Sequence, residues 1–589
     1  LVPRDDLYGV VAGVAVDLEC DHRLVFGEEV DLGRCEESWL VDRCDAVGRR
    51  PADADLVDVD VRLRCVVDGP AATDVEARHG HVDRRRLDLL HRDRRDCTIG
   101  GGGIGCGLGA RPVTALGRRT ARGEHDGNHQ EPGDTHAHGT RLGRDTFPRS
   151  RGPATVWLPC CVVDPSAARG PVLDAVDELR DTMLDELVDV LHVPSVSGTD
   201  AENDAQRHMS GVLERGGMDV DHWPIDLPTL QADPDFPGME VERSEAWGLV
   251  GRLPGSAPGD GATLMLNGHI DVVPTGDPDA WTDAPFDGVV RGGRLFGRGA
   301  CDMKAGLVAA HWAVQAIRTS GTALRGDLLL ASVQGEEDGG LGTFATLRRG
   351  WTADACIIPE PTNLDIIPAN SGALTFRLRV RGRATHAARR ADGVSAIDMF
   401  VPILDALRRL ETRRHETVDP LAARWSLAHP LSIGTVEAGD WASSVPDLLV
   451  AEGRLGVAIG EPVEHARAEF ELAVAEACDG HAWLRAHPVE VEWWGGQFAS
   501  GRIPDDSDLV GRVQAAHGIA SGRRPPDVYG APYGSDLRLL TGLGEIPTLQ
   551  YGPGDAIDAH SPAESVALDD IAVTARTLAL MALDVCGIA

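Results

Sequence analysis

Imidazole and carboxylate side chains stand at the ends of several apolar runs of this sequence. The segments are ATLMLNGHIDVVP at 262–274, RGACDMKAG at 298–306, GEEDGG at 335–340, IPEPT at 358–362 and GPGDAIDAHSPAE at 552–564. Together they offer two imidazoles and at least three carboxylates but few sulfurs, which is a donor set typical of Zn²⁺ and similar first-row ions. The residue types therefore predict a metal site, provided that the fold brings these distant segments together.

Three of the segments have side chains whose spacing suits ligation. His269 and Asp271 are two residues apart, so in extended backbone they lie on one side, where the carboxylate can hold and polarise a ligating imidazole. Asp302 stands in a loop of small residues at a helix start, where it can bridge two cations. The three acids at 336–338 repel one another unless cations lie among them or water screens them. Taken singly, these features have plainer interpretations: a solvated turn, a helix N-cap and an exposed acidic turn.

The other two segments complete a set of ligands for two ions. Glu360 follows a buried strand and lies between two prolines, which fix the direction of its backbone. His560 lies near the end of the last segment. One bridging aspartate with one histidine and one glutamate per ion is a balanced ligand count, and two ions about 3.5 to 4 Å apart can activate a shared water and polarise a carbonyl. An unligated neighbouring glutamate would then serve as general base.

Apolar periodicity predicts alternating helices and strands from residue 172 onward. The expected helices cover 172–191, 303–317 and 341–349, and the expected strands cover 247–253, 262–266, 327–333 and 355–358. A polar, proline-punctuated segment separates the first helix from the first strand. This alternation favours an α/β fold with a mostly parallel mixed sheet flanked by helices, whose ligands gather beyond the carboxyl ends of the strands.

From residue 373 onward the pattern changes to a period of two. The run LTFRLRV at 374–380 alternates apolar and polar side chains, which indicates a sheet with one solvated face. Further elements are expected at 396–411 (helix), 431–436 and 448–457 (strands), 461–478 (helix), 489–494 (strand) and 568–583 (a final helix). The β-α-β-β-α-β order predicts an inserted ferredoxin-like α+β domain. We therefore expect a catalytic domain in two parts, 171–372 and 497–589, with an inserted domain at 373–496.

Residues 1–170 do not match the rest of the chain in composition. Eight of the twelve cysteines precede residue 165, whereas all eight methionines lie at or after Met183. Arginine and aspartate clusters interrupt every apolar run there before a helix or strand builds up. We expect much of this region to be translated from the wrong frame or start, with the authentic chain beginning between about Val172 and Met183. The alternatives are a genuine disordered or cysteine-rich extension and a fused segment that regulates the rest.

The net charge of the chain argues against nucleic acid and anionic membranes as binding partners. Ninety-two acidic residues against 57 basic ones give a net charge of -35, which repels phosphate backbones and anionic lipid. The sequence contains no stretch near the roughly 20 uninterrupted apolar residues of a membrane span, and residues 1–10 lack the basic start and apolar region of a signal peptide. We therefore expect a cytoplasmic protein that binds neither nucleic acid nor membrane.

Six motifs resemble those of a known family. GHID at 268–271, GRGACDMKAG at 297–306, GEED at 335–338, PEPT at 359–362, RATHAARR at 383–390 and AHSPAE at 559–564 are similar to motifs of the M20 metallopeptidases and deacylases. This family includes acetylornithine deacetylase, succinyl-diaminopimelate desuccinylase, aminoacylase and the glutamate carboxypeptidases. The resemblance covers about residues 172–589 in unbroken motif order and does not extend to residues 1–165.

The resemblance implies a role for each candidate residue. His269 and Glu360 would bind one ion, His560 and Glu337 the other, Asp302 would bridge both, Asp271 would orient His269, and Glu336 would be the general base. The cofactors implied are two divalent ions, with Zn²⁺ foremost and Co²⁺ or Mn²⁺ as alternatives.

The resemblance also implies a homodimer. In the family the inserted domain mediates dimerisation, and its histidine, here His386, reaches into the partner's active site to stabilise the oxyanion. Substrate-side roles are suggested for Arg454 and for the backbone of Gly552 and Gly554. From its sequence context alone, His386 would instead be interpreted as a surface residue that follows a strand.

The predicted function is hydrolysis of the amide of an N-acyl amino acid by water activated by the two ions, with Glu336 as the base. The alternative on the same scaffold is a dipeptidase or a glutamate-carboxypeptidase-like enzyme, because peptides and acyl amino acids present the same amide. The long polar segment 226–243 resembles deacylase-like members of the family more than aminotripeptidases, which favours deacylation modestly. From another class, a non-catalytic metal-binding homologue would keep the fold without the reaction, since fold alone does not prove activity.

Overall fold

The computed structural model describes residues 165–589, apart from residues 258 and 260, together with five short strands earlier in the chain. These strands are β1 (Tyr8–Gly9), β2 (Leu56–Val59), β3 (Arg62–Cys65), β4 (Thr73–Glu76) and β5 (Gly80–Asp83). They form one three-stranded sheet, β1-β3-β4, and the pair β2-β5. The chain divides into two units, residues 1–148 and 149–589. Most of residues 1–170 lie outside the described residues, so the interpretation of that region stays a prediction.

The second unit contains eleven α-helices and sixteen strands among its described residues. The helices are α1 (Pro165–Glu178), α2 (Arg180–Leu191), α3 (Asp200–Arg215), α4 (Leu227–Gln231), α5 (Lys304–Thr319), α6 (Leu341–Arg349), α7 (Ala396–Arg414), α8 (Val463–Asp479), α9 (Ala482–Ala486), α10 (Leu509–Ser521) and α11 (Leu568–Cys586). The strands are β6 (Asp219–Pro224), β7 (Trp247–Leu253), β8 (Leu264–His269), β9 (Val289–Arg291), β10 (Arg294–Phe296), β11 (Leu328–Val333), β12 (Ala355–Ile358), β13 (Ile366–Asn370), β14 (Gly372–Arg381), β15 (Leu431–Ala438), β16 (Leu448–Val457), β17 (Glu490–Phe498), β18 (Gly501–Arg502), β19 (Val528–Ala531), β20 (Thr548–Gln550) and β21 (Ser565–Ala567).

A nine-stranded mixed sheet forms the centre of this unit. Its order is β18-β13-β20-β12-β8-β11-β7-β6, and β19 pairs with β13. The four central strands, β20, β12, β8 and β11, are parallel, whereas β6 and β7 on one side and β13 and β18 on the other are joined by antiparallel pairs. The predicted α/β fold with a mixed sheet is confirmed, and its parallel part is confined to the centre and to the β13–β19 pair.

Both faces of the central strands are buried. Within β8, Leu264 and Leu266 pack into the larger core with helices α5 and α11, while Met265 between them faces the opposite core. A strand covered on both faces needs a continuous apolar run rather than an alternating one. This is why β8 reads as apolar until its last residues, where Asn267 and His269 introduce polar side chains at the sheet edge.

The first helix and the polar segment differ from the sequence-based prediction. The helix expected over 172–191 is two helices separated at Leu179, and α1 already begins at Pro165, since proline suits the first turn of a helix. The polar segment contains α3 and β6, which the apolar pattern did not reveal. The reason lies in the buried face of α3, which includes Glu202, Asn203 and Gln206 beside its apolar residues.

The segment predicted as the inserted domain, 373–496, contains most of a four-stranded antiparallel sheet, which helices α7 and α8 cover. Its strand order is β15-β16-β14-β17. Leu374, Phe376, Leu378 and Val380 alternate along β14 and pack against both helices, as the period of two predicted. The exposed face carries arginine–glutamate pairs between neighbouring strands. The outermost strand, β15, is largely exposed along its length.

Two further observations concern cysteines and membrane spans. Cys301, Cys356, Cys478 and Cys586 are free and buried. Among the described residues, no helix has the length and apolar character needed to cross a membrane.

Candidate metal centre

The predicted ligands lie at the carboxyl ends of the central parallel strands. His269 is the last residue of β8, Glu336 and Glu337 follow closely after β11, and Glu360 follows closely after β12. Because β8 pairs in parallel with both β11 and β12, these three strand ends meet at one edge of the sheet. His560 arrives from the loop between β20 and β21.

One group of possible ligand atoms consists of His269, Asp302 and Glu360, all within 4.8 Å of one another. The Nε2 atom of His269 lies 3.1 Å from Oδ1 of Asp302 and 3.9 Å from Oε2 of Glu360. The side chain of His269 is 1% exposed. The imidazole of this group is therefore shielded from water.

A second group consists of Asp302, Glu337 and His560. The Nε2 atom of His560 lies 3.5 Å from Oδ2 of Asp302 and 3.3 Å from the Glu337 carboxylate. Asp302 thus directs one oxygen to each imidazole and belongs to both groups. A carboxylate shared in this way, with one histidine and one glutamate on each side, fits a pair of divalent ions with nitrogen and oxygen ligands.

The charges of the centre also fit cations. Burial raises the pKa of Glu336, Glu337 and Glu360, and neighbouring carboxylates raise it further. Burial also acts on Asp302, but the two imidazoles hold the pKa of its carboxyl well below the usual range. Carboxylates crowded in this way in a buried space are stabilised when divalent ions are bound among them.

Asp271 contacts His269 through its main chain. The Nδ1 atom of His269 lies 2.8 Å from the backbone oxygen of Asp271, whereas the nearest carboxylate oxygen is 3.8 Å away. The carboxylate instead accepts the backbone N–H groups of Glu336 and Glu337, at 3.3 Å each, and the hydroxyl of Ser197 at 3.1 Å. The H-x-D spacing predicted contact through the carboxylate, but the turn after β8 presents the carbonyl to the imidazole.

The position of Glu336 suits a base beside the ligand groups. Its side chain is buried next to Glu337 and Glu360, and it belongs to neither ligand group. Asp536, also buried, is the neighbouring charge that most raises the pKa of Glu336 after burial itself. Glu336 is therefore a carboxyl beside the ligand groups that no group uses as a ligand, which is where a general base for a water between the ions would have to lie.

Glu564 supports the centre, although the sequence analysis assigned it no role of its own. Glu564 accepts the backbone N–H groups of Gly299, Cys301 and Asp302 at 2.9 to 3.1 Å and pairs with Arg298. It therefore fixes the loop that carries the Asp302 carboxylate. Glu564 ends the AHSPAE motif, so its sequence position was the available signal.

Lys304, the only lysine of the chain, is completely buried just after Asp302. Its Nζ donates to the carbonyl oxygens of Val190 and Val193, at 3.1 and 2.8 Å, and burial lowers its pKa to about 7. The lysine therefore ties the start of α5 to the end of α2.

The other predicted residues lie apart from the ligand groups. His386 is exposed before a short 3-10 helix in the inserted domain, where its Nδ1 accepts the N–H of Ala388 at 3.1 Å. Arg454 donates to Glu240 at 2.9 Å. Their roles at a substrate stay predictions.

Gly552 and Gly554 permit close packing around the centre. A Cβ at Gly552 would lie 2.3 Å from the carbonyl oxygen of Pro359, and one at Gly554 would lie 2.6 Å from Sγ of Cys301. Gly554 also has a φ of 84°. These glycines let the last loop pack against the segments that carry Glu360 and Asp302, and a contact of their backbones with substrate stays a prediction.

The ligand groups at the strand ends and the family that the sequence matches together indicate a metal-dependent hydrolase that acts on amides. The chain belongs to the family described as Peptidase family M20/M25/M40, which matches residues 265–584. The resemblance inferred from the motifs is thereby confirmed.

Similar proteins include both deacylases and peptidases. The chain is 28% identical over 432 residues, 69% of this chain and 95% of the relative, to N-formyl-4-amino-5-aminomethyl-2-methylpyrimidine deformylase of Halalkalibacterium halodurans. It is 31% identical over 406 residues, 65% of this chain and 93% of the relative, to succinyl-diaminopimelate desuccinylase of Gluconacetobacter diazotrophicus. The structure of the di-peptidase Dug1p from Saccharomyces cerevisiae has a TM-score of 0.57 at 17% identity, covering 70% of this chain and 98% of that one. Human carnosine dipeptidase 1 has a TM-score of 0.54 at 16% identity, covering 71% and 99%. The two structures show the fold alone.

Proposed function

We propose that the protein removes the acyl group from an N-acyl amino acid by hydrolysing its amide bond, with two divalent ions, foremost Zn²⁺. The observation that carries this proposal is the placement of Asp302 between two imidazoles, with Glu336 beside them. The names of two relatives support a deacylase, since one is a deformylase and the other a desuccinylase. The residues that would hold the ions are His269 and Glu360 on one side and His560 and Glu337 on the other.

Bound divalent ions would polarise the amide carbonyl and lower the pKa of the attacking water. The protein's part is to move one proton. Glu336 takes a proton from the attacking water on its carboxylate and then gives it to the leaving amine, so the enzyme returns to its starting state. Because Glu336 is buried, its carboxyl is kept from bulk water during this transfer.

A substrate panel tests the reaction. N-formyl, N-acetyl and N-succinyl amino acids and a set of dipeptides would be assayed with the full chain after chelation and after readdition of Zn²⁺, Co²⁺ or Mn²⁺. We expect activity to return with the ion and to favour acyl amino acids. A preference for dipeptides would establish the peptidase alternative, and two bound ions without hydrolysis of any substrate would favour the non-catalytic homologue.

The variant Glu336→Gln tests the base. We expect it to keep its fold and its metal content while turnover falls on the order of 10² to 10⁴-fold, as for removal of a positioned base. Glu464→Gln, an exposed glutamate on α8, is the matched control and should retain full turnover. Near-normal turnover in Glu336→Gln would contradict the assignment.

We also infer a homodimer that forms through the inserted domain. The edge strand β15 and the segment after it expose apolar side chains, Val436 at 50% and Trp441 at 72%. An unpaired strand edge with apolar side chains is suited to pair with another chain. In such a dimer His386 would act on the active site of the partner subunit as an oxyanion donor.

Mixing two inactive variants tests this dimer. His386→Ala and Glu336→Gln are each expected to lose most turnover, but in a mixed dimer one active site would combine an intact Glu336 with an intact His386 from the other subunit. We expect turnover to recover after the two variants are unfolded and refolded together. Recovery that fails although mixed dimers form would show that His386 does not act across the interface.

A further inference from the structure

The turn that carries Glu336 and Glu337 is fixed by a buried arginine from a distant segment. Arg243 donates to both oxygens of Asp338 at 2.8 and 2.9 Å, and to both oxygens of Glu202 on α3 at 2.8 and 2.9 Å. The side chain of Arg243 is 2% exposed. The guanidinium is therefore saturated by two bidentate pairs, the strongest geometry available to it.

Asp338 ties the same turn to the backbone of the arginine's own segment. Its Oδ2 accepts the N–H groups of Glu240 and Val241 at 3.1 and 3.0 Å, and its carbonyl oxygen accepts the N–H of Glu240 at 3.2 Å. Asp338 directly follows Glu337 in the chain. A displacement of its carboxylate therefore moves the backbone that carries both the proposed base and a proposed ligand.

This segment also contacts the inserted domain. Glu240 accepts from the hydroxyl of Thr375 at 2.8 Å and from Arg454 at 2.9 Å. A Cβ at Gly238 would lie only 2.0 Å from the carbonyl oxygen of Gly495 on β17, so the two backbones are in direct contact. The residues around Arg243 thus join the turn at the metal centre to the sheet of the inserted domain.

We propose that Arg243 is a positioning residue, which holds the 335–340 turn so that Glu337 can bind the second ion and Glu336 can reach the attacking water. A purely structural ion pair could occupy any part of the core, and replacing such a pair by apolar residues is often neutral for stability. Here Arg243 fixes both carboxylate oxygens of Asp338, the residue that follows the proposed ligand Glu337. Groups that orient metal ligands typically change ion affinity or activity about 10 to 100-fold when they are altered.

The variant Arg243→Lys tests the proposal, because lysine keeps the charge but lacks the planar fork that holds two carboxylates at once. Co²⁺ titrations of the metal-free full chain would follow the two ions separately. We expect the second ion, at Glu337, to bind about 10 to 100-fold more weakly, and the first to bind as in the wild type. Turnover should fall through kcat with little change in KM.

Arg348→Lys is the matched control. Arg348 holds Asp233 and Asp235 at the surface, with no contact to the turn, so its replacement should leave both ion affinities unchanged. If Arg243→Lys fails to fold, Asp338→Asn, which preserves the shape of the side chain, is expected to weaken the second ion in the same way. Unchanged affinity for the second ion in a folded variant, or loss of folding in both variants, would overturn the proposal.

The expected fall of kcat rests on the proposed function, but the expected weaker binding of the second ion does not. Wild-type protein that binds two Co²⁺ ions without hydrolysing any acyl amino acid would defeat the proposed function and leave the comparison of ion affinities intact. If the wild-type protein hydrolyses acyl amino acids and the Arg243→Lys variant binds the second ion more weakly, both the proposed function and the positioning role of Arg243 are supported.

Discussion

The two ligand groups differ in how far they are shielded from water. The His269 side chain is 1% exposed and ends a strand that is buried on both faces, whereas the His560 side chain is 53% exposed and comes from a loop. His560 also has a φ of 59°, in the left-handed region that few residues other than glycine adopt. Because electrostatic attraction strengthens as water is excluded, the difference suggests one firmly held ion and one that exchanges with solvent.

The largest effect is expected when the residue shared by both groups is removed. Asp302→Ala deletes one ligand from each ion, and since a bound ion contributes several kcal/mol to the transition state, turnover should fall by at least about 10³-fold. Metal analysis should show that both ions are lost or weakened. Glu545→Ala, a glutamate outside the ligand groups, serves as control. Loss of only one ion from Asp302→Ala would show that this carboxylate does not bridge.

A smaller effect separates the two groups. During stepwise chelation we expect the ion at His560 to leave first, with a dissociation constant at least about tenfold higher than that of the ion at His269, or ~1.4 kcal/mol. His560→Ala should abolish the weak step and keep the strong one. If both ions leave together, or if His560→Ala removes the strong step, the comparison of the two groups is wrong.

The smallest effect concerns pH. Hydrogen bonds to Asp302 and Glu337 raise the pKa of His560 to about 10 in the metal-free protein, so below that pH an ion must displace a proton to bind there. Affinity at this group should therefore increase with pH, by at most about tenfold per unit, and level off near the pKa. Titrations with Zn²⁺ between about pH 6 and pH 8 would measure this slope. An affinity for Zn²⁺ that does not change with pH would contradict this prediction.

The same pKa has the opposite consequence for folding without metal. The folded-state pKa lies above the unfolded value of about 6.5, so protonated His560 contributes stability that is complete below the unfolded value and is lost as the pH increases through about 10. Chemical denaturation of the metal-free protein along this pH range provides an independent check of the sign.

The sequence predicted most of the centre because strand ends leave a clear pattern. The apolar runs of β8, β11 and β12 stop just before His269, Glu336 and Glu360. Parallel strands bring their carboxyl ends to one edge of the sheet, and this does not depend on the conformation of the loops. Individual contacts were not predictable in this way. Whether Asp271 contacts His269 through its carboxylate or its carbonyl depends on the conformation of the turn after β8. A turn has no repeating pattern of apolar residues from which its conformation could be predicted.

Arg243 and its partner on α3 were missed for a different reason. Glu202 lies on the buried face of α3, where apolar periodicity expects apolar residues, and its charge is compensated by a residue 41 positions away. A buried ion pair between distant segments cannot be predicted from the local sequence, since each charged residue by itself is expected to lie at the surface. The partners of Lys304 show the same limit, because the carbonyl groups of Val190, in α2, and of Val193, just after α2, lie more than one hundred residues earlier.

The position of the inserted domain within the chain has a consequence for synthesis on the ribosome. A nascent chain released up to β17 already contains His269, Asp302, Glu337 and Glu360, but it lacks β20, the central parallel strand beside β12, and the loop with His560. One ligand set is then complete while the sheet edge next to it is still open. The second ligand group can therefore form only after the chain up to His560 has emerged, because this group needs the imidazole of His560 beside Asp302 and Glu337.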